Sequence, residues 1–428
     1  MCFNVERIFN PVGQGGFYEE RFYSDENFFN FVFDCGTNNK RALFSKLLNH
    51  KDYNTINLLC ISHFDNDHVS LLPTFLKGKK VETLFMPHIT NDIIYSILLS
   101  IGGVLPDDEA EEEFDKILNN QYMLLSDPKK FMNSINGDVE RIVYIKQGFK
   151  EHFKEESLDD YITTIEELPF KETLPSGTDF KSNKFPVQWI FKPVNISFSK
   201  GSLKENFINE ILKIISNNKN YNDKYTKIED INESFLKEAI CDRKLIAIIR
   251  KAYHGIYKGD THKEMNDYSM ALYSGLLNNN IDVQVSRLKR CKYSLSDFEY
   301  LNLTNEFVYL KSNSFDYHGK LAKHRAGCLY LGDYNTKDDE YYEILEHYYN
   351  PYKNKFSFTL QVPHHGSIHS WNKKLLNWAK DFIVSYGSNN HRHPSPDVLL
   401  DVIKEKPFFE ITHSENSSLK YLIEVSYK

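Results

Sequence analysis

The chain lacks the features that would announce a membrane, secreted or duplex-coating protein. No uninterrupted apolar run among its 428 residues approaches the roughly 20 needed to cross a bilayer as a helix, so no membrane partner is expected. Its six cysteines (Cys2, Cys35, Cys60, Cys241, Cys291 and Cys328) are scattered and form no C-x-x-C pair. A disulfide framework is therefore not expected, and Cys60 and Cys328 sit in apolar runs where a thiol acts as a small buried hydrophobe. Excess positive charge is also missing: 52 Lys and Arg face 59 Asp and Glu, a formal net charge of −7. A protein that coats duplex DNA usually carries a basic face, which weighs against that class. The opening residues, Met1-Cys2-Phe3-Asn4-Val5-Glu6-Arg7, lack the charged-then-apolar pattern of a secretory leader, and with the free thiols they give the expectation of a cytoplasmic protein. With only 3 Trp, the 31 Phe and 27 Tyr must supply the large flat surfaces for packing.

What the chain does have is concentrated in a few short runs. The apolar stretch Ile56-Asn57-Leu58-Leu59-Cys60-Ile61 reads as a buried strand, and it is followed at once by Ser62-His63-Phe64-Asp65-Asn66-Asp67-His68. Two imidazoles and two carboxylates within six positions, thrown into the loop after a strand, can hold two divalent cations side by side. On extended backbone His63, Asp65 and Asp67 would project the same way, with His68 turning toward the second ion.

Three further runs carry related chemistry. Gly327-Cys328-Leu329-Tyr330-Leu331-Gly332-Asp333 is a strand ending in Gly-Asp; a carboxylate there can offer one oxygen to each of two cations. Val362-Pro363-His364-His365-Gly366-Ser367 places two adjacent imidazoles on an irregular loop, from which one can bind metal while the other meets substrate. Ile383-Val384-Ser385-Tyr386-Gly387 reads as another strand, followed by Asn389-Asn390-His391-Arg392-His393-Pro394.

The first run resembles the H-x-H-x-D-H signature of the metallo-β-lactamase superfamily, with Asp65 in place of the second histidine. That H-x-D-x-D-H form is similar to the domain attached to the competence-type DNA-uptake channel (ComEC) and its soluble relatives. Val12-Gly13-Gln14-Gly15 and Asp34-Cys35-Gly36 resemble the opening of the same family, although Gly16 stands where the family usually has aspartate. Asn266 to Ser269, Gly332-Asp333, Pro363 to Ser367 and His393-Pro394 resemble its later motifs, in order.

The resemblance implies an α/β fold, an αββα four-layer metallo-β-lactamase sandwich. Residues 1–88 are its first half and 264–428 its second. Between them, 89–263 reads as a large, mainly helical insertion, a cap or a surface for a homodimer or protein partner. Helices are expected at 41–50, 71–76, 110–118, 203–215 and 233–252, strands at 5–9, 28–36, 81–86 and 185–191, and a charged patch at Arg287, Lys289, Arg290 and Lys292.

The resemblance also implies the ligand set and the chemistry. His63, Asp65 and Asp333 would hold one ion; Asp67, His68, Asp333 and one of His364 or His365 would hold the other. The working assignment takes His365 as the ligand and places His364 and His393, with Asp67, in catalysis. Asp34 would support the metal loop from beneath, while His88 would stand near the rim; His324 and His369 would be incidental. Two ions about 3.5–4 Å apart would activate a bridging water. An oxygen-rich set shifts preference from Zn²⁺ toward Mn²⁺, so either is expected. The leading expectation is a two-metal phosphodiesterase or nuclease acting on nucleic acid or nucleotide phosphodiesters. The alternatives are a lactone or amide hydrolase, whose pocket rim would be apolar, and a metal-stabilised partner-binding module.

Overall fold

The structure, a computed structural model, describes residues 2–24, 27–39, 44, 47–48, 53–103, 120–148, 162–185, 189–197, 201–256, 268–277, 281–289, 325–350, 352, 357–387, 393–412, 414 and 417–427. Among these the strands are β1 (Cys2–Phe9), β2 (Tyr18–Tyr23), β3 (Phe28–Phe33), β4 (Thr55–Ile56), β5 (Leu58–Cys60), β6 (Lys80–Pro87), β7 (Asp138–Ile145), β8 (Thr163–Thr164) and β9 (Lys171–Leu174). They continue with β10 (Phe180–Lys181), β11 (Trp189–Ser197), β12 (Tyr268–Leu276), β13 (Ile281–Lys289), β14 (Gly327–Tyr330), β15 (Ser357–Gln361), β16 (Asp381–Ser385), β17 (Phe408–Ile411) and β18 (Leu419–Tyr427). One sheet runs β13-β18-β1-β2-β3-β5-β6-β7-β9, with β4 beside β6; the other runs β17-β16-β15-β14-β12-β11-β10-β8.

Alternation along single strands shows how the sheets are layered. In β3, Phe29, Phe31 and Phe33 join a core shared with Phe191, Met270, Cys328 and Tyr330 of the other sheet. Val32 points the opposite way, into a core with Ile93 of α3 (Asn91–Gly103), Phe207 of α4 (Gly201–Ser216), Phe235 of α5 (Glu233–Cys241) and Leu245 of α6 (Arg243–Ile256). Two short helices precede these, α1 (Asn66–Val69), which carries Asp67 and His68, and α2 (Leu72–Phe75). In β14, Leu329 faces away from the inter-sheet core, toward Leu345 of α7 (Asp339–Tyr349) and Val398 of α8 (Pro396–Glu405). A period of two in the side chains thus yields four layers, helix, sheet, sheet, helix. This mixed α/β arrangement is compatible with the sandwich expected from the sequence. No helix among the described residues is long and apolar enough to cross a membrane.

Residues 89–263 supply α3 to α6, but also β7 and β9 of the first sheet and β8, β10 and β11 of the second. β11 pairs with β12 from Trp189↔Leu276 to Ser197↔Tyr268. It is buried on both faces, Trp189 and Phe191 inward and Ile190, Val194 and Ile196 outward. Some expectations shift. The helix expected over 233–252 is broken at Asp242, whose extended backbone and carboxylate, accepting from the Lys244 N–H at 2.9 Å, start a second helix. The helix expected at 110–118 lies outside the described residues, 41–50 falls largely outside them, and so do Arg290, Lys292, His324, His391 and Arg392.

β2 was not expected, and the reason is physical. Its Glu19 and Glu20 are fully buried, contrary to the usual fate of carboxylates. Glu20 accepts from Arg7 Nε at 2.6 Å, from the Tyr330 hydroxyl at 2.9 Å and from Ser274 Oγ at 2.5 Å, while Arg7 Nη1 donates to Thr359 Oγ1 at 3.0 Å. An ionic cluster therefore joins β1 and β2 to β12, β14 and β15 through the apolar interior. Removing one partner strands a buried charge, so Arg7→Met should cost about 3–5 kcal/mol in urea unfolding, and Arg7→Met combined with Glu20→Gln should recover more than half of it.

Candidate metal centre

The site lies where parallel strands end. β3, β5 and β6 are mutually parallel neighbours in one sheet, and β14, β15 and β16 in the other. Asp34 follows β3, His63 follows β5, Asp333 follows β14, and His364 and His365 follow β15. β12 is antiparallel to β14, which brings its first residues, Tyr268 and Ser269, to the same end. There the Met270 N–H donates to the Ser62 carbonyl at 2.8 Å, joining the two sheets.

The loop after β5 is not extended throughout. Asp65 is the N-cap of α1, its carbonyl accepting from the His68 N–H at 2.9 Å. Asp67 and His68 thus come from a single helical turn, and only His63 remains on the strand side. Gly36 lets this turn pack tightly: a Cβ there would lie 2.5 Å from the His68 nitrogen. The Cys35 N–H donates to the His68 carbonyl at 2.8 Å, and the Gly16 N–H to that of Asp67 at 2.9 Å.

Four imidazoles present Nε2 toward a common centre built on Asp333. Its Oδ1 is 3.2 Å from His68 Nε2 and 3.8 Å from His365 Nε2. Its Oδ2 is 3.8 Å from His63 Nε2 and 3.7 Å from His364 Nε2. Asp67 Oδ2 lies 3.0 Å from His365 Nε2, and Asp65 Oδ2 lies 3.9 Å from His63 Nε2 on the more exposed side. Donor atoms of His63, Asp67 and His68 lie within 4.8 Å of one another, as do those of His68, Asp333 and His365.

The opposite ring nitrogens are held from behind. His68 Nδ1 donates to Asp34 Oδ2 at 2.7 Å, and His365 Nδ1 to the Ser385 carbonyl at 2.8 Å. Ser62 Oγ donates to Asp34 Oδ2 at 2.7 Å, so it accepts from His63 Nδ1 at 2.9 Å. His364 Nδ1 is 3.1 Å from the Ser370 hydroxyl. Fixing Nδ1 sets each ring's tautomer and direction and leaves Nε2 for a cation. Nε2 of His63 is buried and makes no hydrogen bond, which is the state of a ligand atom prepared for an ion. The arrangement also carries strain: Asp34, His364 and His365 adopt φ of 55°, 47° and 53°, each costing about 1–3 kcal/mol, as side chains held at functional positions often do.

Protonation follows from crowding. Burial, then the neighbouring His68, pushes His63 down to about 3. Burial also lowers His68 and His365, but the carboxylates of Asp333, Asp34 and Asp67 around the first, and of Asp333 and Asp67 around the second, outweigh it and raise both. Burial favours protonating Asp333, yet His364, His68 and His365 hold it well below the carboxylate range. His393 falls to about 4, through burial and then the fields of His364 and His365.

The sequence candidates are thus placed as follows. His63, Asp67, His68, Asp333, His364 and His365 come together, and Asp65 borders them. His364, assigned to catalysis above, shares Asp333 Oδ2 with His63, because left-handed backbone at both His364 and His365 turns the adjacent rings to opposite sides of the carboxylate. His393 lies against His364, ring centroids 5.6 Å apart. His88 packs beside Tyr144 and is not among the clustered groups, and His369 is exposed. The supports that sequence reasoning gave no role are Ser62, Ser370 and Gln361, whose small or neutral side chains carry no signal of their own; Ser269 and Ser385 stood in runs that were read, but without a supporting role.

No protein-family model matches the sequence, and no curated protein matches it. Among solved structures the chain is similar to the metallo-beta-lactamase fold protein YhfI from Bacillus subtilis, at 10% identity, with 44% of this chain and 52% of that one covered and a TM-score of 0.18. The chain spans about half the length of that protein, and a likeness this loose carries no argument about the chemistry.

Two outcomes follow from the geometry. A cation at Nε2 of His68 or His365 competes with a proton that the surrounding carboxylates favour on both rings. Zn²⁺ affinity should therefore fall as pH is lowered, and calorimetry in buffers of different ionisation enthalpy should show proton release on binding. Asp34→Ala, which removes the acceptor behind His68, should weaken Zn²⁺ binding by roughly 10–100-fold in the same titration.

Proposed function

We propose that the protein is a metal-dependent hydrolase, and more narrowly a phosphodiesterase or nuclease using two divalent ions, Zn²⁺ or Mn²⁺. The observation that carries this reading is the convergence of four anchored imidazoles on the two oxygens of one buried carboxylate. His68, His365, Asp67 and Asp333 Oδ1 would hold one ion; His63, His364 and Asp333 Oδ2, with Asp65 at the open side, would hold the other. Two nitrogens and two carboxylates in the second of these sets admit Mn²⁺ as well as Zn²⁺. Ions bound there would bring a water's pKa toward neutrality and neutralise charge developing on a phosphoryl group.

The protein's own residues account for the remaining requirements. Asp333, kept ionised by the surrounding imidazoles, supplies a fixed negative charge between the two ligand sets. Burial of His63, His68, Asp333 and His365 keeps bulk water from their donor atoms, which strengthens every electrostatic interaction in the pocket. His393, neutral at ordinary pH, has no imidazolium proton to give. Its role is to orient a leaving-group oxygen by hydrogen bonding beside His364 rather than to act as a cationic acid. The acidic balance of the whole chain supports a single-stranded or small phosphodiester over duplex DNA gripped along a basic face. A cytoplasmic location, and a homodimer or protein partner contacting residues 89–263, complete the proposal.

The test is to strip metal, restore Zn²⁺ or Mn²⁺, and follow bis(p-nitrophenyl) phosphate and labelled single-stranded DNA. Activity should return with the ion and drop at least about 100-fold in Asp67→Ala. Two bound ions with both diesters untouched would instead favour lactone or amide substrates. Failure of the wild-type protein to take up either ion would sink the hydrolase reading.

A further inference from the structure

Gln361, the last residue of β15, is 2% exposed and touches none of the ligand atoms, yet both metal-bearing loops of the second sheet depend on it. Its Oε1 accepts from the N–H groups of Leu331 and Gly332, each at 2.7 Å. Its Nε2 donates to the Gly332 carbonyl at 3.3 Å and to the Val362 carbonyl at 2.7 Å. Both lone pairs and both N–H groups of the amide are thereby used. The same Gly332 carbonyl accepts from the His364 N–H at 2.9 Å. One side chain thus ties the turn that presents Asp333 to the loop that presents His364 and His365.

Few side chains could replace it. A glutamate would set a second oxygen against two carbonyls, and a methionine of similar length would take from the Leu331 and Gly332 N–H groups the acceptor they share. The turn has little freedom to find other partners. Gly332 has φ of 53°, and a Cβ on it would lie 2.7 Å from Ser269 Oγ and 2.9 Å from Ser62 Cβ. The left-handed conformations of His364 and His365 likewise need an external restraint.

We propose that Gln361 is a positioning residue that sets the distance between the Asp333 carboxylate and the His364–His365 pair, and so the spacing of the two ions. The proposal rests on the two-ion reading, and its test separates the two. Wild type and Gln361→Met are titrated with Mn²⁺ and followed by electron paramagnetic resonance, with circular dichroism to confirm the fold. Wild type should take two ions and give a spin-coupled signal. Gln361→Met should bind one of them at least tenfold more weakly and give the separate six-line signal of isolated Mn²⁺, a change that general destabilisation of a folded protein does not produce. Gln361→Glu, which keeps the size and one acceptor, is read in the same way if the methionine variant does not fold. Two ions at wild-type affinity with a coupled signal in a folded variant would overturn the role of Gln361 alone. Fewer than two ions in the wild type would overturn the two-ion reading and this proposal with it.

Discussion

The two oxygens of Asp333 face different imidazole pairs, Oδ1 toward His68 and His365 and Oδ2 toward His63 and His364, and the rest of the site is fitted to that division. A carboxylate buried to this degree would take up a proton unless its surroundings favoured the charge. Here the imidazoles do so, keeping it ionised despite burial. The carboxylates around the two rings that face Oδ1, His68 and His365, outweigh burial and raise them, whereas burial prevails at His63 and His364 and lowers both.

Such a centre works only if the rings cannot turn away. Each Nδ1 faces an oxygen, from Ser62, Asp34, Ser370 or the Ser385 carbonyl. Asp34 serves twice, accepting from His68 and from both the backbone and the hydroxyl of Ser62. It therefore couples the His63 and His68 rings through one carboxylate. Its own left-handed backbone is strain that a surface aspartate would relax, and the buried hydrogen bonds hold it in place.

Much of this was legible in the sequence because ligand chemistry is local. His63 to His68, Gly332-Asp333 and His364-His365 stand in short runs after apolar strands, and a run of titratable groups at a strand end is a readable signal. What was not legible was assembled from distant residues. Ser62 and Ser370 look like ordinary turn serines, and the Ser385 acceptor is a backbone carbonyl with no signature at all. Sequence also could not say which adjacent histidine faces which oxygen, since left-handed backbone at both positions is a tertiary constraint. Among the fold elements, β2 was hidden by Glu19 and Glu20, whose charges suggest a surface until Arg7, Tyr53 and Asn10 are brought to them. β11 was only partly seen because its neighbours are rich in Lys, Asn and Glu, so a strand buried on both faces lay inside a chain that otherwise reads as helical.

The polar cluster within the sandwich bears on the site through the strands it grips. Tyr330, bonded to Glu20, lies three residues before Asp333, and Thr359, bonded to Arg7, lies two before Gln361. Apolar packing between two sheets tolerates small sliding, because dispersion contacts are non-directional. Hydrogen bonds to a planar guanidinium and a carboxylate do not. Arg7 and Glu20 therefore fix β14 and β15 relative to the first sheet, which carries His63, Asp67 and His68. Of the four imidazoles around Asp333, His63 and His68 leave one sheet and His364 and His365 the other, so a shift between sheets would change the distances across Asp333 without disturbing either pair. A buried ion pair adds little net stability over a well-packed apolar replacement. Its contribution here is alignment, holding two pairs of imidazoles close enough for one carboxylate to face both.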